Sequence, residues 1–394
     1  MAVYLDHAAS TPVRPEVVSL ISGLLGQSGN PSSVNSFGQQ TKMQLEQARE
    51  DIAAVLNCNR AEVIFTSGGT EANNLGILGL FAARNSEAER EIILTLGTEH
   101  HAVLEAAEAV EKHFGARVEL IPVNSHGQPN FEWLEGFLEE NSERVALVAA
   151  IWANNETGTV IDVPKMAAIC KRYQVPMHSD AVAAVGHMEV DFSASGLSTM
   201  AFTGHKIGAP VGTGVLLVGR GVKVYARSFG GSQERGIRPG TQDAIGASGV
   251  ALALKVAARE LSERRAFWEG LRTKLISGVA ALVPDAYVAG EPADSLPDVR
   301  LSNIVNIIFP GCAGESMLFL LDSAHVAISN GSACTAGVVG GSHVLLAMGH
   351  DRLAASSCVR VSFGHTTTEA DIDAFLQALP GAYEKAKKAG YTLI

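Results

Sequence analysis

The sequence predicts an α/β fold: a large domain on a mostly parallel sheet, followed by a smaller α+β domain. Two observations predict it. Between residues 60 and 220, short apolar runs alternate with amphipathic stretches, the pattern of a parallel sheet covered by helices on both faces. At 394 residues the chain also exceeds one compact core, so two domains are the expectation.

Residues 62–66 read as the first strand, followed by Ser-Gly-Gly and a helix over 70–81. Residues 92–95, 118–123 and 145–151 read as further strands, each followed by helix-like sequence. Residues 177–179 and 198–202 continue the alternation, and 214–218 closes it. An Ala/Leu/Arg-rich helix over 251–275 leads into the second domain. There, 303–309 and 358–363 read as strands and 315–321 as a helix. A last helix starts near Thr368, because Thr-Glu-Ala-Asp suits a helix N-terminus. The expected division is 14–255 for the large domain, and 1–13 with 256–394 for the small one.

Bulk properties exclude some functions. Forty-one acidic against 30 basic residues give a net charge of −11, which argues against nucleic-acid and anionic-membrane partners. The N-terminus has no basic and apolar leader pattern, and no apolar run reaches membrane-spanning length. The five cysteines (58, 170, 312, 334 and 358) are at least 22 positions apart, which excludes a CxxC metal site. A reducing, cytoplasmic location is the expectation, with no resident metal.

Several motifs fall at the carboxyl ends of these strands, where α/β proteins bind ligands. Thr66-Ser-Gly-Gly-Thr-Glu-Ala-Asn73 joins a strand to a helix. Its glycines let backbone approach an anion at a helix N-terminus, although an ordinary strand-to-helix turn reads the same way. Ala201-Phe-Thr-Gly-His-Lys-Ile-Gly208 delivers Lys206 from a strand into a turn, with His205 and Thr203 beside it. An exposed loop lysine is the bland alternative. His178-Ser-Asp180 sets an acid just past a strand, where a helix cap would also be satisfied. Thr98-Glu-His100-His101 and Trp152-Ala-Asn-Asn155-Glu-Thr-Gly158 add a ring suited to stacking and amides suited to a hydroxyl or carboxylate. Arg360 alternates with Val359 and Val361, so it faces away from them, as bidentate carboxylate capture or a structural salt bridge requires. Cys334 lies among small residues between Ser329 and His343, with glycines that let it swing, whereas the other cysteines sit in helix-like or strand-like settings.

In this order the motifs resemble the class V aminotransferase family, and within it the cysteine desulfurases. Tyr-Leu-Asp-His-Ala-Ala-Ser-Thr-Pro at 4–12, Thr-Ser-Gly-Gly-Thr-Glu, Thr-Glu-His, Asn-Asn-Glu-Thr-Gly, Gly-His-Lys, Glu-Arg-Gly-Ile-Arg-Pro-Gly-Thr and Gly-Ser-Ala-Cys-Thr-Ala-Gly all match. The resemblance runs from about residue 3 to 380. It implies the fold-type I architecture of pyridoxal-phosphate transferases, with a seven-stranded sheet. It implies that Lys206 carries pyridoxal 5′-phosphate, that Asp180 faces the pyridine nitrogen, and that His100 stacks on the ring and shuttles protons. Gly69, Thr70, Thr203 and His205 resemble the phosphate cradle, and Thr241 the threonine that reaches the phosphate across a homodimer interface. Asn155 and Arg360 resemble the ligands of the L-cysteine carboxylate, with Asn35 nearby. Cys334 resembles the cysteine that takes the sulfur as a persulfide. The step from Cys334 to Ser342 is similar to the long-loop group, which passes sulfur to acceptors such as iron–sulfur scaffold proteins.

Three positions depart from the family pattern. Ala183 replaces a glutamine that donates to the cofactor's phenolic oxygen, a loss of about 1–3 kcal/mol. Asn35 stands where histidine is common, and Asn330 where serine is usual. A selenocysteine lyase, another enzyme of the same fold, and a catalytically impaired sulfur carrier remain as other readings.

Overall fold

The computed structural model describes residues 2–292, 294–295, 298–331 and 341–390. The strands are β1 (Val3–Tyr4), β2 (Val63–Thr66), β3 (Ile92–Leu96), β4 (Arg117–Ile121), β5 (Val145–Ile151), β6 (Met177–Asp180), β7 (Thr199–Thr203), β8 (Gly214–Val218), β9 (Tyr287–Ala289), β10 (Ile304–Ile308), β11 (Val326–Ala327) and β12 (Cys358–Ser362). The helices are α1 (Pro15–Leu24), α2 (Ser36–Val55), α3 (Gly69–Asn85), α4 (His101–Phe114), α5 (Phe131–Asn141), α6 (Val163–Arg172), α7 (Phe192–Ser195), α8 (Ala244–Leu282), α9 (Gly314–Ser323), α10 (His343–Ala347), α11 (Arg352–Ser356) and α12 (Glu369–Ala389).

Seven strands form one sheet in the order β2-β8-β7-β6-β5-β3-β4. The sheet is mostly parallel, as the alternation predicts, but β8 runs antiparallel to both β2 and β7. Residues 204–213, between β7 and β8, hold only a 3-10 turn and no crossover helix, so the chain must return in the opposite direction. Successive residues of each strand feed opposite faces. Leu94, Val148, Met200 and Leu217 pack into one core with residues of α2, α6 and α8. Ile93, Leu147, Ala201 and Leu216 pack into another with residues of α3 and α4.

A separate core surrounds the three-stranded sheet β12-β10-β9. The 39-residue α8 serves both units: Ala247, Val250 and Leu254 join the large core, while Leu271, Leu275 and Val279 join the small one. It extends beyond the expected 251–275 at both ends. Asp243 caps its start through Gly246 N. Thr368 and Asp371 form the capping box that opens α12, as the Thr-Glu-Ala-Asp run predicts.

Cys170 lies in α6 and Cys358 in β12, both buried, but Cys58 and Cys312 lie in turns rather than in helix or strand. Burial, not element type, is what quiets these thiols: it pushes Cys58, Cys170 and Cys358 up to about 12, and Cys312 also upward. Among the described residues no helix is long and apolar enough to cross a membrane.

Candidate active site

The carboxyl ends of β5, β6 and β7 and the start of α3 open into a cavity of about 310 Å³. Asp180, the last residue of β6, is 3% exposed and holds two donors. Its Oδ1 accepts from Val182 N at 2.9 Å and its Oδ2 from Asn73 Nδ2 at 2.7 Å. Burial pushes its carboxyl up, while His100 and these hydrogen bonds pull it back. His100 caps α4 by accepting from Ala102 N at Nδ1, 3.1 Å, so its neutral ring carries hydrogen at Nε2. Burial holds it below the ordinary histidine range.

Lys206 follows β7 in the 3-10 turn Gly204–Lys206 and reaches back to the N-terminal segment. Its Nζ donates to the carbonyls of Ala8 and Ala9, the latter at 2.8 Å. The 4–12 segment thus brings the backbone oxygens of Ala8 and Ala9 to the cavity. Thr203 and His205 flank the lysine, and burial followed by the Lys206 charge pushes His205 down to about 4. Gly69 opens α3 where a Cβ would sit 2.8 Å from Val182 Cγ2, so only glycine brings the helix end this close.

The facing side comes from the small sheet. Arg360 on β12 is 2% exposed; its Nη1 donates to Asn155 O at 3.0 Å and its Nη2 pairs with Asp6 at 2.8 Å. Its buried Nε has no hydrogen-bond partner among the described residues. The neighbouring Glu156 is equally buried and accepts from Ser342 Oγ at 2.5 Å. Gly331 packs against the same carboxylate, where a Cβ would lie 2.8 Å from Oε2. Glu156 thus ties together the two residues that bound the chain stretch 332–341.

Lys206, Asp180, His100, Gly69, Thr70, Thr203, His205, Asn155 and Arg360 all line this one cavity. Two expected residues do not. Asn35 instead accepts from Gly38 N at 2.9 Å and caps α2, which explains why an amide suits that position. Thr241 is exposed in the segment before α8. Cys334 lies outside the described residues. Ala183 lines the cavity with a methyl group where a longer side chain is usual.

Residues that motif reading passed over also belong here. Asn73 sits one helical turn beyond Gly69, so the i, i+4 spacing on α3 was the available signal. His7 and His187 line the cavity, and burial pushes each down to about 4. His343, at the start of α10, lines it too; its Nε2 lies 2.8 Å from Glu99 O and its ring 4.5 Å from that of His101.

The residues fit pyridoxal phosphate. A helix N-terminus with Thr70, Thr203 and His205 offers donors to a phosphate. A buried carboxylate that accepts from Val182 N and Asn73 Nδ2 suits a cationic ring nitrogen, and Lys206 shares the cavity. The unpartnered Arg360 Nε leaves a guanidinium donor for a substrate carboxylate.

The family description Aminotransferase class-V matches residues 3–375. The chain is 43% identical to an "IscS-like cysteine desulfurase" of Mycobacterium tuberculosis, over 98% of this chain and 97% of that one. It is 38% identical to "Cysteine desulfurase NifS" of Azotobacter vinelandii, over 96% and 92%. A solved structure titled "NIFS-LIKE PROTEIN" superposes with a TM-score of 0.88 at 32% identity, covering 98% of this chain and 99% of that chain.

Proposed function

Because this chain belongs to the class-V aminotransferase family, we propose that it is a pyridoxal-phosphate-dependent cysteine desulfurase with the cavity above as its active site. One observation carries the reading furthest. Gly331 and His343, on either side of the stretch that holds Cys334, line the same cavity as Lys206, Asp180 and Arg360.

When bound, the cofactor supplies an electron sink for the pair left at the substrate Cα. Lys206 would hold it through Nζ, and the same Nζ would take up the substrate Cα proton. Asp180 would face the ring nitrogen and hold a proton there. His100 would stack on the ring and move protons at Nε2. Thr70, Thr203 and His205 would hold the phosphate at the start of α3. Arg360 and Asn155 hold the L-cysteine carboxylate. The Cys334 thiolate then attacks the substrate sulfur: the substrate C–S bond breaks, an S–S bond forms, and the carbon takes up a proton to leave as alanine. Cysteine and a thiol become alanine and a persulfide, with no outside oxidant.

The homodimer, with Thr241 reaching the partner's phosphate, the cytoplasmic location and delivery to an iron–sulfur scaffold or another acceptor are parts of the same proposal. Their support is the motif pattern. The test is to give the holoenzyme cysteine and a thiol reductant with no keto acid. Equal alanine and sulfide are expected. Dependence on a keto acid would make it an aminotransferase, a strong preference for selenocysteine a lyase for that substrate, and no turnover a carrier.

A further inference from the structure

Behind Asp180 runs a chain of buried polar groups that the motifs do not explain. Asn73 is 1% exposed, and His178 and Thr199 are fully buried. His178 Nε2 lies 2.9 Å from Asn73 Oδ1, and its Nδ1 lies 2.9 Å from Thr199 Oγ1. Asn73 Nδ2 in turn donates to Asp180 Oδ2. The chain therefore connects β7, β6, α3 and back to the end of β6. Gly76 clears the space for the ring, since a Cβ there would stand 2.6 Å from His178 Nδ1.

With Asp180 ionised, the direction of every bond follows. An ionised carboxylate only accepts, so Asn73 must turn its amide nitrogen to Asp180 and its oxygen to His178. That oxygen needs a donor, so His178 carries hydrogen at Nε2, and its bare Nδ1 accepts from the Thr199 hydroxyl. Burial pushes His178 down to about 3, so the ring is neutral and cannot donate from both nitrogens. The opposite run, with hydrogen at Nδ1 and the amide turned over, would need a protonated Asp180 donating to Asn73.

We propose that His178 is a positioning residue: through Asn73 it locks a hydrogen-bond donor onto Asp180 and so holds that carboxylate ionised for the cofactor's ring nitrogen. Without the lock, Asn73 is free to rotate its oxygen toward the carboxylate, and Val182 N is the donor that stays. The titratable groups around Asp180 are His100 and Lys206 on the cavity side and the buried Glu99. Neither His100 nor Lys206 substitutes for the lock, because both must move protons during turnover. The inference rests on the reading of Asp180 as the ring-nitrogen partner.

Three measurements test it. In the apoprotein reconstituted with pyridoxal phosphate, side-chain nitrogen NMR of labelled histidine should show His178 as the Nε2–H tautomer. Finding Nδ1–H would overturn the chain's direction. In fluorescence titrations of apoprotein, His178→Leu should bind pyridoxal phosphate about tenfold more weakly, the size of one lost hydrogen bond to a charged group. His178→Gln, whose amide nitrogen still donates to Asn73, should bind close to the parent, and its kcat should recover while KM stays put in both variants. Equal binding by His178→Leu and the parent, or a glutamine variant as weak as the leucine one, would overturn the proposal. An Asp180→Asn variant separates the two ideas. If it bound and turned over like the parent, the Asp180 reading would fall; if it failed while His178→Leu behaved as parent, only the role of His178 would.

Discussion

On the sheet side of the cavity, each functional group sits at or just past a strand end: Asp180 is held by Val182 N and by Asn73 of α3, and Lys206 by the carbonyls of Ala8 and Ala9. Asp180 ends β6, Lys206 follows β7, and Asn73 reaches Asp180 from the first turns of α3. On the facing side the groups are held by residues very distant in the chain. Arg360 pairs with Asp6 across 354 positions, and Glu156 holds Ser342 across 186. In the proposed function the sheet side holds the cofactor, which needs constant geometry. On the facing side the dipeptide Asn155-Glu156 holds both Arg360 and Ser342.

Breaking the sheet side should cost most. Lys206→Ala should lose the borohydride-fixed cofactor, and cysteine turnover should fall by about 10²–10⁴-fold. A surviving reducible link, found by digesting the reduced protein, would move the lysine elsewhere. On the facing side, Arg360→Lys keeps the charge but loses the planar fork that serves Asp6, Asn155 O and substrate together. KM for cysteine should rise about 10–100-fold with a smaller change in kcat. A fall in kcat alone would contradict the carboxylate role. Glu156→Ala removes the acceptor of Ser342 and the wall against Gly331, and should slow alanine formation by about tenfold while cofactor affinity holds. Equal loss of both would mean that Glu156 only supports the fold.

A further effect, spread over several pH units, is on stability. His178 stays neutral down to about pH 3 in the fold, against an ordinary value of 6.5. Between those limits the unfolded chain binds the proton and the folded one does not, so stability falls as pH drops below the ordinary value. The slope reaches about 1.4 kcal/mol per pH unit from this group at most. Thermal melts of the parent and His178→Gln across that window should show the shallower decline in the variant.

The same contrast explains what was legible in sequence. Strand alternation located the seven-stranded sheet because buried parallel strands read as short apolar runs, and Lys206 and Asp180 stood out because each ends such a run. The reversal of β8 was not legible, since its apolar run looks the same in either direction. Asn35 is expected near the substrate, and its side-chain oxygen accepts from Gly38 N at the start of α2. The Asp6–Arg360 and Glu156–Ser342 joins had no local signal, because a salt bridge or hydrogen bond between distant segments leaves no periodicity. His178 was visible as part of a motif, yet its role needed the position of Asn73 on another element.

The central claim is that the two sides cooperate, the sheet side activating cysteine and the facing side presenting the thiol that takes its sulfur. The most direct test is a single turnover of Cys334→Ser holoenzyme with L-cysteine beside the parent. The account predicts that the variant keeps the cofactor's resting absorbance and its change on adding cysteine, but forms neither persulfide nor alanine, whereas the parent gains one sulfur atom on the Cys334 peptide by mass spectrometry. Alanine and sulfide from the serine variant at the parent's rate would contradict it.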